Sequence, residues 1–102
     1  MTLNDTLKIV RLLDLYGKLL TKQQKEIMED YYYANLSLSE ISEMRKISRT
    51  AVSDALKVAT KKLENYEEKI NICGVFDSIK NEKNAALIDE IEEKLKNGIW
   101  VS

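Results

Sequence analysis

The stretch Ser37-Leu38-Ser39-Glu40-Ile41-Ser42-Glu43-Met44-Arg45-Lys46-Ile47-Ser48-Arg49-Thr50-Ala51-Val52-Ser53 decides the fold of this chain. Ser37 and Glu40 stand at capping-box spacing, in which a serine hydroxyl accepts from the backbone N–H three residues on and the glutamate returns the bond. They open a short helix from Leu38 to about Met44 or Arg45, with Leu38, Ile41 and Met44 inward. Ser48 is a further N-cap and starts a second helix at Arg49, with Val52, Ala55, Leu56, Ala59 and Leu63 as its inward stripe. Two helices joined by a short turn, the second opened by a serine cap, form the helix-turn-helix pattern, here Ser37 to about Lys62. Ile41, Met44, Ile47, Val52 and Leu56 are the apolar contacts that such a unit needs. Ser42 is small where the two helices come closest. Nothing obliges the second helix to stop before about Lys69, so one long helix is expected.

That helix would turn Arg49, Thr50, Ser53 and Lys57 outward, with Lys61 one turn further and Arg45 and Lys46 in the preceding turn. These seven residues are the candidate nucleic-acid contacts. A solvated face of an ordinary helical bundle has the same composition, and pattern alone leaves both readings open.

Toward the N-terminus, Leu3, Leu7, Ile9, Val10, Leu12, Leu13 and Tyr16 make a wide apolar stripe on a helix capped by Asn4 or Asp5 and ending near Gly17. Leu19 and Leu20 continue the core. Thr21 and Gln24 form another capping box, opening a helix with Ile27, Met28 and Tyr31 inward. Tyr31, Tyr32 and Tyr33 cannot all face inward, since helical neighbours lie ~100° apart, so at least one is expected at the surface. Beyond Ile70 the periodicity loosens through Ile72, Val75, Phe76 and Ile79. A last helix runs from about Glu82 to Lys96 with Leu87, Ile88, Ile91 and Leu95 as its stripe and Gly98 at its end. The expected organisation is a helix-turn-helix domain over 1–69 and a C-terminal helical extension over 70–102.

Composition agrees with an all-α fold. The chain has 102 residues, no proline and three glycines, too few turn formers for a strand-and-turn architecture. No stretch approaches the ~20 apolar residues of a membrane helix, and the N-terminus lacks the basic-then-apolar pattern of a signal peptide. With Cys73 as its one cysteine, the expected setting is a reducing cytoplasm without membrane association. The absence of histidine, of a glycine-rich phosphate loop and of a carboxylate pair in apolar surroundings argues against an enzyme, and no cofactor or metal is expected. The net charge of −1 conceals an asymmetry. Residues 1–66 hold eleven Lys or Arg against nine Asp or Glu, and residues 67–102 hold five against eight. A pI near 5.5 is far from the basic character of a strong nucleic-acid binder, so any basic footprint is local.

Leu20-Thr21-Lys22-Gln23-Gln24, Leu36-Ser37-Leu38-Ser39-Glu40-Ile41 and Ile47-Ser48-Arg49-Thr50-Ala51-Val52 together resemble region 4 of bacterial sigma factors, a module that reads promoter DNA. A closer resemblance is to the YlxM family of small proteins from low-GC Gram-positive bacteria and mycoplasmas. It is carried by Ser48-Arg49-Thr50-Ala51-Val52-Ser53-Asp54, by Leu63-Glu64-Asn65-Tyr66-Glu67-Glu68-Lys69 and by the consecutive tyrosines. The resemblance covers residues 1–70 well and the tail more loosely. It implies a helix-turn-helix bundle similar to sigma region 4, with a C-terminal helical arm and no enzymatic activity. Genes of this family lie beside those of the signal recognition particle GTPase and its receptor, which implies a regulatory role in that targeting pathway with these two proteins as partners.

Where sigma-like modules carry basic residues, this chain has Ser53, Asp54 and Ala55, and Asp54 opposes a phosphate surface. Six cations (Arg45, Lys46, Arg49, Lys57, Lys61 and Lys62) are enough to hold a DNA or RNA backbone weakly. Binding to random duplex DNA is therefore expected to be weaker than micromolar at physiological salt. Lys46 stands where glycine is common in this turn, so a left-handed backbone there would be strained. In the acidic tail, Leu87, Ile91, Leu95 and Trp100 are the candidate oligomer or partner contacts. A homodimer pairing through them would cover Trp100. The alternative, in which the tail packs back on its own domain, stays open.

Overall fold

The computed structural model describes residues 3–97. Its elements are α1 (Leu3–Tyr16), a 3-10 turn (Gly17–Leu19), α2 (Lys22–Tyr32), α3 (Leu38–Arg45), α4 (Arg49–Ile70), α5 (Ile72–Ile79) and α6 (Ala85–Lys96), with no strand among the described residues. The chain is an all-α helix-turn-helix bundle.

Local chemistry sets the helix starts. Thr21 Oγ1 accepts from the Gln24 N–H at 3.2 Å while Gln24 Oε1 accepts from the Thr21 N–H at 3.2 Å. The Ser37–Glu40 box closes in the same way at 3.1 and 3.0 Å. Ser48 Oγ accepts from the Ala51 N–H at 2.9 Å. Each cap satisfies amides that a helix start otherwise leaves unpaired. α1 departs from this pattern. It begins at Leu3, ahead of the expected caps Asn4 and Asp5. Asp5 falls in its first turn, where a carboxylate favours the positive end of the helix dipole.

The long α4 packs against α1, α2 and α3, and α6 lies along α1. Ile9, Leu12, Leu13, Leu15 and Tyr16 of α1 meet Ile27 and Met28 of α2, Ile41 of α3, and Val52, Leu56, Ala59 and Leu63 of α4 in one core. Leu20 joins them, as expected. Two apolar residues read as inward are instead exposed: Met44, at 55%, and Leu7, at 58%. α3 is only two turns long, and Ile41 is its one buried residue, with Leu38 packed beside the core and Met44 left past its edge.

The tail contains a helix that periodicity did not reveal. α5 is eight residues long, with Gly74 inside it, so it spans too few turns for a helical period to show. Its first turn is held by side chains of other helices: the Ile72 N–H donates to Tyr16 Oη of α1 at 3.1 Å and the Cys73 N–H to Glu67 Oε1 of α4 at 3.0 Å. α6 starts at Ala85 rather than Glu82. Asn81 Oδ1 accepts from the N–H groups of Lys83 and Asn84, and Asn84 Oδ1 accepts from the Asn81 N–H at 2.6 Å, so asparagine side chains hold a turn where the helix was expected.

α6 packs in cis. Leu95 belongs to the core, and Arg11 of α1 pairs with Asp77 of α5 at 3.1 Å and with Glu92 of α6 at 3.0 Å. Lys80 and Asp89 close α5 onto α6 at 2.8 Å. Ile88 is also buried, whereas Leu87 and Ile91 of the same stripe are exposed. Gly98 and Trp100, read as a helix end and a partner contact, lie outside the described residues. No helix among the described residues is long and apolar enough to cross a membrane.

Candidate functional site

The helix-turn-helix is built by α3, the turn through Lys46 and Ile47, and α4. Lys46 adopts the left-handed conformation (φ 57°, ψ 44°), and its N–H donates to Ser42 O. The Ile47 N–H donates to the same carbonyl at 3.2 Å, and Ser42 Oγ donates to Ile47 O at 2.6 Å. Ser42 thus uses its hydroxyl as well as its small size. The turn keeps the geometry that glycine would give, with a lysine bearing the steric cost.

Three of the candidate cations on this unit (Arg49, Lys57 and Lys61) are exposed on α4, and Lys46 is exposed at the turn. None of these four enters an ion pair among the described residues. Thr50 is exposed beside them and Ser53 is half-buried. Arg45 is placed differently. Its Nε donates to Asp30 at 2.6 Å and an Nη to Glu26 at 3.0 Å, so its guanidinium clamps α3 to α2. Lys62 is also directed inward, donating to Gln24 Oε1 at 3.1 Å. Glu26 and Asp30 are four apart on α2, so one helix face presents two carboxylates to Arg45. That spacing is visible in the sequence, but its match to a residue fifteen positions on comes only from the fold.

The outermost stripe of α4 consists of Ala51, Asp54 and Val58, all exposed, with Val58 at 49%. Neither Ala51 nor Val58 offers a hydrogen-bond donor to a base edge, and Asp54 brings a negative charge to the centre of the face.

One flank of α4 borders a groove of about 390 Å³ between α2, α3 and α4. Tyr31, Tyr32, Leu38 and Leu56 make its floor, and Ser53, Lys57 and Thr60 its α4 rim. The two tyrosine rings meet edge to face, with centroids 4.9 Å apart and planes at 80°. Burial pushes the Tyr32 phenol above its ordinary range, so it stays neutral. Ser53 and Lys57, singled out from the sequence as nucleic-acid contacts, therefore also border an apolar depression. The third tyrosine, Tyr33, is the exposed one, hydrogen-bonded through its hydroxyl to Asp14 and covered by Lys96 at 5.5 Å from its ring centre.

In the tail, Leu95 is spent on the chain's own core, and Leu87 and Ile91 remain exposed on α6. Cys73 is half-buried at the start of α5, and burial pushes its thiol up to about 11. No group of three His, Cys, Asp or Glu side chains suited to a metal ion occurs among the described residues.

A family model described as helix-turn-helix protein, YlxM / p13 like, matches residues 3–99 of this chain. The chain belongs to the UPF0122 family. A UPF0122 protein of Clostridium kluyveri is 34% identical over 95% of this chain and its own entire length. One from Malacoplasma penetrans is 36% identical over 94% of each chain. One from Caldanaerobacter subterraneus subsp. tengcongensis is 52% identical over 68% of this chain and 59% of its own. No solved structure gives a significant match.

Proposed function

We propose that this chain is a non-enzymatic regulatory protein of the cytoplasm whose helix-turn-helix faces a protein or ribonucleoprotein partner. The observation that carries this reading is the outer stripe of α4, where Ala51, Asp54 and Val58 stand exposed in place of base-reading donors. Removal of Arg45 into its pairs with Glu26 and Asp30 takes a further cation from the face. Depletion of charge and exposure of apolar groups favour contact with protein over contact with phosphates.

The signal recognition particle GTPase and its receptor are the partners we put first, on the gene neighbourhood that the YlxM resemblance implies. The test is capture of these two proteins by the tagged chain from cell lysate, with and without nuclease. Recovery of either supports the reading, and nuclease sensitivity adds RNA to the interface. Recovery of neither overturns it.

The second reading is a weak DNA-binding regulator, favoured by Lys46, Arg49, Lys57 and Lys61, which form an exposed group on one unit. Such contacts are to the backbone, and each lost cation lowers the salt dependence by roughly one unit. Fluorescence anisotropy decides: submicromolar, sequence-selective binding to duplex DNA at physiological salt favours this reading over the first. Homodimer formation through the exposed Leu87 and Ile91 is a separate proposal, checked by light scattering at tens of micromolar.

A further inference from the structure

The last two helices are tied to each other by groups of their own. In the turn between them the Asn81 N–H donates to Asn84 Oδ1 at 2.6 Å, and Asn84 Nδ2 donates to Ile79 O at 2.7 Å. Lys80 and Asp89 add an ion pair across the hairpin at 2.8 Å. Its apolar grip on the rest of the chain is small: α5 has no fully buried residue, and α6 has Ile88 and Leu95. We infer that the α5–α6 hairpin is a strap that opens as one unit about Asn71, with Arg11 as its latch and ionic strength as its control.

The hinge is built at Asn71. This residue takes the left-handed conformation (φ 58°, ψ 38°) between α4 and α5, which asparagine tolerates better than most side chains. Its carboxamide lies over Gly74, where a Cβ would collide with Oδ1, so the sharp junction needs a glycine there. The bonds from Ile72 and Cys73 to Tyr16 and Glu67 lie within two residues of Asn71 and act close to the axis.

The latch lies further out. Arg11 of α1 reaches Asp77 of α5 at 3.1 Å and Glu92 of α6 at 3.0 Å, so one side chain grips both helices of the hairpin. Lys96 adds a looser pair with Asp14 at 3.9 Å. The side chains in these three pairs are 24% to 62% exposed, so added salt screens them. Salt does not weaken the apolar contacts of Ile88 and Leu95, so the sign of a salt effect separates latch from grip. Opening uncovers Leu15, which is 1% exposed and lines the hollow between α1 and α6 beside Arg11 and Glu92. The strap thus sets when an apolar face of α1 is presented, while α3 and α4 keep the helix-turn-helix folded.

Amide hydrogen exchange of the full chain tests this at about 50 mM and about 500 mM sodium chloride, which span a large change in screening length. The α6 amides from Ile88 to Leu95 are expected to exchange about threefold faster at the higher salt, with Leu56, Ala59 and Leu63 of α4 unchanged. Arg11→Met keeps the apolar stem and removes the charge. It is expected to speed α6 by about fivefold at low salt and to abolish most of the salt response. Asp77→Asn, at an exposed position of α5, is expected to speed α6 as well, because the hairpin moves as one. Exchange in α6 that ignores salt or slows with it would overturn the latch. Equal acceleration in α4 would mean global unfolding and overturn the strap. An effect of Asp77→Asn confined to α5 would overturn the single unit.

Discussion

The hydroxyl of fully buried Tyr16 donates to Glu67 Oε1 at 2.6 Å, and through this bond the end of α1, the last turns of α4 and the first turn of α5 become one unit. Tyr16 Oη accepts from the Ile72 N–H while Glu67 Oε1 accepts from the Cys73 N–H, so two amides at the start of α5 are satisfied by side chains of α1 and α4. Tyr16→Phe keeps the ring and removes the hydroxyl. Leaving a half-buried donor and acceptor short of a partner is expected to lower stability by about 2 kcal/mol. Amide hydrogen exchange should accelerate first at Ile72 and Cys73. Exchange that speeds up uniformly along the chain would contradict the linkage.

Arg45 and Lys57 were equivalent as sequence candidates, and the fold separates them. Arg45→Ala breaks a pair of charge-assisted bonds to side chains that are 16% and 38% exposed, and is expected to cost about 1 kcal/mol of stability after allowance for solvent screening. Lys57→Ala, on an exposed helix surface, should stay within about 0.5 kcal/mol. Urea denaturation of both variants checks the contrast, and equal midpoints would refute it.

Lys46 occupies a left-handed position that glycine adopts without steric cost. Lys46→Gly is therefore expected to stabilise the chain by about 1 kcal/mol, read as a rise in Tm. No gain, or a loss, would show that the turn is not strained in solution.

The Glu40 carboxylate is held below its ordinary range by the backbone N–H of Ser37 and by the Ser37 side chain. A group whose folded value is depressed stabilises the protein above its unfolded value, and that contribution is lost as pH falls through the folded value. Stability should therefore decline through the acid side of the usual glutamate range. Glu40→Gln retains an acceptor for the cap and should flatten that part of the profile. Identical profiles in thermal melts across the acid range would count against the box as a source of the pH dependence.

Cys73 makes a chemical prediction. With burial pushing its thiol from 9.0 to about 11, the thiolate population at neutral pH falls by about 100-fold. Reaction with a chromogenic disulfide should be correspondingly slow in the folded chain and recover in denaturant. Reaction at the rate of a free cysteine would refute the placement of this thiol.

Much of this fold is legible without coordinates, for a physical reason. The Thr21, Ser37 and Ser48 caps are local devices whose partners lie three residues away, and the stripe of Val52, Leu56, Ala59 and Leu63 follows from the period of one helix. Family membership likewise rests on residue strings. α5 and the recruitment of Arg45 were not legible, because both depend on groups brought in from other helices: Tyr16, with the Glu67 that it holds, for the first, Glu26 and Asp30 for the second.

For this protein the sequence alone determined that a helix-turn-helix would form, where α2, α3 and α4 start, and which cations α4 would carry. The tertiary structure decided which of those cations stay free, that Leu95 goes to the core while Leu87 and Ile91 stay outside, and that Ser53 and Lys57 border an apolar groove. The division follows the range of the forces. Capping and periodicity act within a turn or two of helix, whereas the availability of a side chain depends on what the rest of the chain packs beside it.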